Sequence, residues 1–393
     1  MSSSIFQLTD DQRMLGDSLD RFLTAHYGLA QRNQALAQVG PKAPLWHALA
    51  HELGLLGAGF SEEQGGLGGG LDDHLAIMET LGQHLAGQPY LSSVVLAGGL
   101  LQRIIRDTPP SPSDGLAQQL LTRLIAGDAL LAVAMTETHA RHDPNDVRTA
   151  LRPDPGADGG WRLQGRKVVV YCAPWASELM VLARSRGKPR DPDGLSLVCL
   201  PMTTPGLRRR DTRTVDGHWS SEIELNDVTV RADQLLGTPG QAGPLLAQAV
   251  DDATLAVCAE ACGVLRRLMR DTLHYARERK QFGVPIASFQ VLQHRMADMH
   301  MALEQAGAVT AWAAEQGDAA PALRAQAISS AKVTVSRACR TVGQGAVQIH
   351  GGMGMTEELA VGHFFRRATQ IEQLFGPVNH HLHRVESLLA QTL

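Results

Sequence analysis

An α+β fold, mostly α, follows from three features of the 393-residue sequence. Apolar residues recur at helical spacing over residues 1–128 and again over 241–393, while the stretch 129–240 is made of short β-branched runs parted by Gly, Pro and Asp. The length exceeds what one core usually organises. The expected order is an N-terminal helical domain (1–128), a middle antiparallel β domain (129–240) and a C-terminal four-helix bundle (241–393).

The first helix is read from "LTDDQRMLGDSLDRFLTAH", where Thr9 is the cap and Met14, Leu15, Leu19, Phe22 and Leu23 share one face. The cluster "EEQGGLGGG" (62–70) contains a formal GxGxG, but no strand precedes it, so it is read as a loop. "DDHLAIMETLGQHLA" is the next helix. Strands are expected at "WRLQGRKVVVYCA", "ELMVLARS", "GLSLVCLPM" and "SSEIELNDVTV". In the last, Ile223, Leu225, Val228 and Val230 share a face only if Asn226–Asp227 makes a bulge or tight turn. Downstream, Phe289, Leu292, Met296, Met299, Leu303 and Ala306 step by three and four, the seam of a bundle helix. In "IHGGMGMTEELAVGHFFRRATQIEQLFG" (349–376), clustered glycines precede what reads as one unbroken helix starting at Thr356.

Charge and composition exclude several classes. A formal net charge of -4 gives no general attraction to nucleic acid, and "LRRR" (207–210) reads as a solvated edge. The five cysteines (Cys172, Cys199, Cys258, Cys262, Cys339) read as buried free thiols, with no zinc spacing. His350, His380, His381 and His383 read as surface histidines, so no metal is expected. "MSSSIFQLTDDQ" lacks the pattern of a leader peptide, and no apolar run reaches membrane-spanning length. A cytoplasmic protein with no membrane association is expected.

Several long strings resemble the acyl-CoA dehydrogenase family. They are "YARERKQFGVPIASFQVLQHRMADM" (275–299), "QIHGGMGMTEE" (348–358), "MTE" (135–137), "LQGRKVVV" (163–170), "LNDVTVRADQLLG" (225–237) and "ELGLLGAGFSEEQGGLGGG" near the N-terminus. The likeness covers nearly the whole chain. Its tail, "VGHFFRRATQIEQLFGPVNHHLHR", is most similar to pimeloyl-CoA dehydrogenase small subunits and related subunits of heteromeric enzymes. The resemblance implies the acyl-CoA dehydrogenase fold, FAD, oxidation of an acyl-CoA thioester to the 2,3-enoyl-CoA, and electron transfer to an electron-transferring flavoprotein. Such chemistry needs a desolvated carboxylate to take the proton beside the thioester carbonyl.

By the same resemblance, Arg279, Gln281 and Phe282 reach a neighbouring subunit's FAD, where an arginine fork suits phosphate oxygens. Read bare, they are a helix C-terminus with basic side chains opposite the dipole. Gln348, Gly351 and Gly352 are implied as the second such contact, and read bare they form a turn. In the β domain the family loop "TEPGAGSD" is replaced by "TETHARHD" (136–143), which keeps Thr136 and Glu137 after Met135 and puts His142 at the serine. The family strand "WIT" is replaced by Val169, Val170 and Tyr171; a valine cannot stack on a flavin, though Tyr171 could still donate a hydrogen bond.

The family's two base positions carry Phe375 and Ala253 here, leaving Glu260 and Glu372 as displaced candidates, and Asp251–Asp252 beside Ala253 off register. Glu260 also suits an interhelical ion pair. Features that act within a subunit are lost and those that act across an interface are kept. A non-catalytic partner in a heteromeric dimer or tetramer is therefore expected. The alternatives are a self-sufficient homo-oligomer using Glu260 or Glu372, and a flavin-free scaffold.

Overall fold

The computed structural model describes residues 4, 6, 8–40, 43, 45–108, 114–154 and 160–390. Part of the segment on which the leader reading rests (1–3, 5 and 7) lies outside the described residues, as do the extreme ends of the first and third expected domains. Two compact units emerge, one of Met1–Arg32, Asp72–Gly87 and Thr254–Leu393, the other of Asn33–Leu71 and Gln88–Ala253.

Near the N-terminus lie α1 (Asp10–His26), α2 (Leu29–Ala37), α3 (Leu71–Gln83), α4 (Gly99–Asp107) and α5 (Asp114–Ile125). Thr9 caps α1 as a full box: its hydroxyl accepts the Gln12 N–H while the Gln12 side chain accepts the Thr9 N–H. The glycine cluster is a short 3-10 turn and loop with no nucleotide-type helix after a strand. Two π-helices, Ala48–Glu52 and Tyr90–Gly98, were invisible to pattern reading; the second is buried along its whole length. Continuous burial removes the polar face that would have revealed its period.

One eight-stranded sheet builds the second unit's β region. Its strands are β1 (Leu131–Ala134), β2 (Ala150–Pro153), β3 (Trp161–Tyr171), β4 (Glu178–Arg184), β5 (Leu195–Pro201), β6 (Leu207–Arg213), β7 (Trp219–Val230) and β8 (Leu235–Leu236). The order is β6-β7-β3-β2-β4-β5-β8, with β1 also pairing β4. Most neighbours are antiparallel, but β1 and β2 meet β4 in parallel, which amends the purely antiparallel expectation. Leu179–Ala183 of β4 are all 0% exposed, the continuous burial expected of a strand with parallel company. The Asn226–Asp227 irregularity is present: Leu225 pairs Gly165 and Val228 pairs Leu163, so Ile223, Leu225, Val228 and Val230 are all buried. The "LRRR" segment is hydrogen-bonded edge strand β6, with Arg210 and Arg166 sharing Glu222 at 2.7 and 2.5 Å. A charged edge of this kind discourages further strand pairing.

The C-terminal part runs α6 (Ala242–Glu278), the hairpin β9 (Lys280–Gln281) and β10 (Val284–Pro285), α7 (Gln290–Glu315), α8 (Pro321–His350), α9 (Ala360–Gln373) and α10 (Val378–Ala390). Five helices stand where four were expected, because left-handed Phe375 and Gly376 followed by Pro377 divide the last stretch. The helix expected from Thr356 starts later. A 3-10 turn spans Gly351–Met355, the Thr356 hydroxyl donates to the Met353 carbonyl at 3.0 Å, and α9 begins after Leu359. On α7 the seam is buried at Met296, Met299, Leu303 and Ala306, whereas Phe289 precedes the helix and, like Leu292, is half-buried. Among the described residues no helix is long and apolar enough to cross a membrane.

Within the first unit, α3 crosses α6 at backbone distance. A Cβ on Gly82 would stand 2.1 Å from the Glu260 carbonyl oxygen, so only glycine fits. We expect Gly82→Ala to destabilise by about 2–3 kcal/mol through overpacking, read as a lowered urea midpoint at unchanged m-value.

Candidate active site

The first unit brings two of the motifs together. Behind Glu278 the chain turns through Phe282 and Gly283, both left-handed (φ 55° and 85°), to close the β9–β10 hairpin. Such a turn suits Asn-Gly; a phenylalanine there is strained by about 1–2 kcal/mol. Phe282 is nevertheless 93% exposed, its ring set edge-on to Phe289 at 6.2 Å between ring centres. Arg279 and Gln281 are exposed beside it. At the end of α8, Gln348 is exposed, Gly351 is left-handed (φ 61°), and nothing stands within 4 Å of where a Cβ on Gly351 or Gly352 would be.

What ties these two corners is a pair that sequence reasoning missed. The Tyr275 and His350 rings stack at 4.2 Å and 23°, one from each motif. His350 Nδ1 lies 2.8 Å from the Ala346 carbonyl and so donates, and burial lowers its pKa. The surface reading of the histidines is corrected for His350 and His381, which are 6% and 1% exposed; only His383 stands fully in solvent. Among the described residues no group of three or more His, Cys, Asp or Glu is arranged to hold a metal.

In the second unit, Met135 and Thr136 follow β1. The Val168 N–H donates to the Thr136 carbonyl at 2.9 Å, setting that loop against β3. Beneath it the fully buried Lys167 ammonium donates to Glu137 Oε1 at 2.7 Å and to the Met135 carbonyl at 3.3 Å. Glu137 also accepts the Arg148 and Thr149 N–H groups at 3.0 Å each. Burial pushes Lys167 down to about 8 against the pull of Glu137. Burial raises Glu137, but the Lys167 charge and the hydrogen bonds outweigh it, leaving that carboxyl below its ordinary value. Val169, within β3, is in left-handed backbone (φ 53°) and 49% exposed, where the β3–β7 register shifts. His142 is exposed and also left-handed (φ 73°); Tyr171 is half-buried.

The candidate bases are engaged. Ala253 is wholly buried, and Asp252 beside it pairs with Arg103. Glu260 and Arg367, 0% exposed, form a bidentate pair with both contacts at 2.7 Å. Glu372 takes Arg340 Nη2 at 2.7 Å. Phe375 is left-handed (φ 56°), and its carbonyl accepts from His381 Nε2 at 3.1 Å. Lys332, wholly buried, caps the same turn by donating to the carbonyls of Ile371, Glu372 and Gly376 at 2.9, 3.3 and 3.2 Å.

Comparison with known proteins identifies the class. Models of the acyl-CoA dehydrogenase N-terminal, middle and C-terminal domains match residues 9–128, 132–228 and 244–387. The chain is 30% identical over 376 residues to the probable acyl-CoA dehydrogenase YngJ of Bacillus subtilis, covering 93% of this chain and 94% of that protein. It is 30% identical over 362 residues to acyl-CoA dehydrogenase FadE27 of Mycobacterium tuberculosis, 88% of each chain. Among solved structures it is similar to a chain of the ChsE4–ChsE5 complex of Mycobacterium tuberculosis (TM-score 0.86, 27% identity, 99% of each chain). It is also similar to butyryl-CoA dehydrogenase of Megasphaera elsdenii (TM-score 0.87, 25% identity, 98% of this chain and 99% of that one). The chain belongs to the acyl-CoA dehydrogenase family. Its cofactor is accordingly FAD, and its chemistry is that of an oxidoreductase acting on the CH–CH bond of an acyl-CoA with flavin as acceptor.

The first unit's corner fits that cofactor. Open backbone at Gly351 and Gly352, the exposed Phe282 ring and the exposed Arg279 offer N–H, aromatic and cationic contacts to a dinucleotide.

Two predictions follow from the buried groups. Arg367→Met strands the Glu260 carboxylate and should cost about 3–5 kcal/mol in urea unfolding, most of it recovered on adding Glu260→Leu. His381 is pushed down to about 3 by burial first, then by the Lys332, His380 and Arg384 charges. The folded state therefore binds fewer protons than the unfolded chain below pH 6.5. Stability should fall as pH drops from 6.5 toward about 3, by up to roughly 1.4 kcal/mol per pH unit for this group, and His381→Asn should flatten the profile.

Proposed function

We infer that this chain is the non-catalytic partner in a heteromeric acyl-CoA dehydrogenase, lending its Arg279, Gln281, Phe282, Gln348, Gly351 and Gly352 corner to FAD seated on another subunit. One observation carries the reading. Both base positions hold apolar side chains, Phe375 and Ala253, while the two displaced candidates, Glu260 and Glu372, are each held by an arginine. A base must be free to take a proton at the thioester's α-carbon; Glu260 has both oxygens committed to the Arg367 guanidinium, and Glu372 has one held by Arg340. FAD, when bound, supplies the hydride acceptor for the β-carbon.

This chain's residues then bind and orient. Arg279 meets phosphate oxygens, the glycine corner lets the dinucleotide approach the backbone, and Tyr275–His350 holds the two motifs in register. The base comes from the partner subunit, and electrons leave to an electron-transferring flavoprotein. Within this division of labour, 241–393 carries the FAD contacts, 129–240 a β domain whose own flavin seat (Met135, Thr136, His142, Val169, Tyr171) is incomplete, and 1–128 the remaining helical wall. The likeness to a chain of a two-protein complex supports a hetero-oligomer.

The test is to purify the chain alone and with the product of an adjacent acyl-CoA dehydrogenase gene, measuring flavin per chain and flavin bleaching by acyl-CoAs. We expect a colourless chain alone and a flavin-loaded, reducible complex. Arg279→Ala should weaken FAD in that complex by about tenfold or more, the worth of a charge-assisted hydrogen bond. Stoichiometric FAD with turnover by the chain alone would sink the reading.

A further inference from the structure

Within the first unit, a cleft of about 660 Å³ opens between α6 and α7, and none of the FAD-facing residues lines it. That is the size of a small-molecule site, and the space between bundle helices is a common place for one. Its floor is apolar: Met269 and Leu303 are 6% and 5% exposed, and Leu273 is half-buried. Its rim is cationic. Arg266, Arg270, Leu273 and Arg277 step by four, three and four along α6, so they share one face. Arg266 is taken by the buried Glu79 carboxylate. Arg270 meets the Asp271 carboxylate at 3.8 Å, but both oxygens of that group already accept from Arg267 Nε at 3.0 and 2.8 Å. Arg277 is exposed and, among the described residues, makes no hydrogen bond or ion pair. A solvated helix face matches its arginines with acids three or four residues away. Here those positions hold Arg266, Arg267, Leu273 and His274 around Arg270, and Leu273, His274, Lys280 and Gln281 around Arg277. Two guanidinium groups thus stand open over an apolar floor, seven residues and about 10 Å of helix rise apart, with Leu273 between them.

We propose that the α6–α7 cleft binds an aliphatic dicarboxylate, its two ends paired to Arg270 and Arg277 and its methylene chain laid on Met269, Leu273 and Leu303. A guanidinium fork suits carboxylate oxygens. Each end of the cleft offers one such fork, the match for a single negative charge. Glu304, on the same rim and met by His300 at 3.8 Å, weighs against the doubled charge of a phosphate monoester. The distance between the arginines sets the length of the ligand, and the floor between them sets its apolar middle. The site goes beyond the lending of FAD contacts and shares no residue with them.

Isothermal titration of the full-length chain tests this with three probes. Azelate, when extended, spans the distance between the arginines; nonanoate has the same chain with one acid group, and glutarate has two acid groups on too short a chain. Azelate should bind at least about tenfold tighter than either. Arg270→Met and Arg277→Met should each bring azelate down to the level of nonanoate, and Arg208→Met, at an exposed arginine of β6, should leave it unchanged. Both cleft substitutions lie on exposed side chains, so the fold should persist, with circular dichroism as the check. No measurable binding of azelate overturns the proposal, and so does nonanoate binding as tightly. Azelate binding that survives either cleft substitution, or that is lost in Arg208→Met, overturns it too, for then the diacid sits elsewhere. The partner reading is judged by bound flavin and stands or falls separately.

Discussion

The first unit is organised around one interaction, the bidentate Glu260–Arg367 pair between α6 and α9, with neither side chain reached by water. Taking both charges out of solvent costs several kcal/mol per ion, so the pair is tolerable only with near-ideal geometry and no gap around it. That requirement propagates. Gly87 must lack a side chain because a Cβ there would stand 2.3 Å from Glu260 Oε1, and Gly82 must let α3 close onto the α6 backbone at the same residue. On the far side α9 is fixed by Arg367, so its C-terminal turn arrives where Lys332 and His381 can hold it. The carboxylate that could have served as a displaced base is thus the anchor of the helical packing.

Among the described residues, left-handed non-glycine backbone occurs at Leu45, Leu85, Arg141, His142, Val169, Cys172, Arg190, Asp227, Phe282 and Phe375, some inside the strings that carry the family resemblance and some, such as Leu45, Leu85 and Arg190, away from them. Each such residue is disfavoured by about 1–3 kcal/mol where it is not Asn or Asp. Bulky residues in that conformation at Val169, Phe282 and Phe375 mean that the path of the chain is dictated by surrounding hydrogen bonds and packing. Lys167–Glu137 does this at one point, Lys332 and His381 at another, and the β9–β10 hairpin at the third.

Which parts were legible in the sequence follows from how local their causes are. The Thr9 cap, the α7 seam and the parity break at Asn226–Asp227 depend on neighbours within a few residues, so pattern alone reaches them. Strand β6 was missed as a strand because an edge rich in arginine has no apolar period, and β1 and β2 because four residues are too few to show one. The break after Gln373 was hidden by helical apolar spacing that continues through Phe375. In the candidate site, the motifs could be read as strings, but the contacts that arm or disarm them could not. Glu260 and Arg367 lie 107 residues apart, and Tyr275 and His350 belong to different motifs; nothing in either string announces its partner.

At Phe282 the strain coincides with near-total exposure, so no interior packing within the chain accounts for it. The β9–β10 hairpin imposes the angle and leaves the ring in solvent, where the proposed function gives it a contact: an aromatic face offered to a dinucleotide.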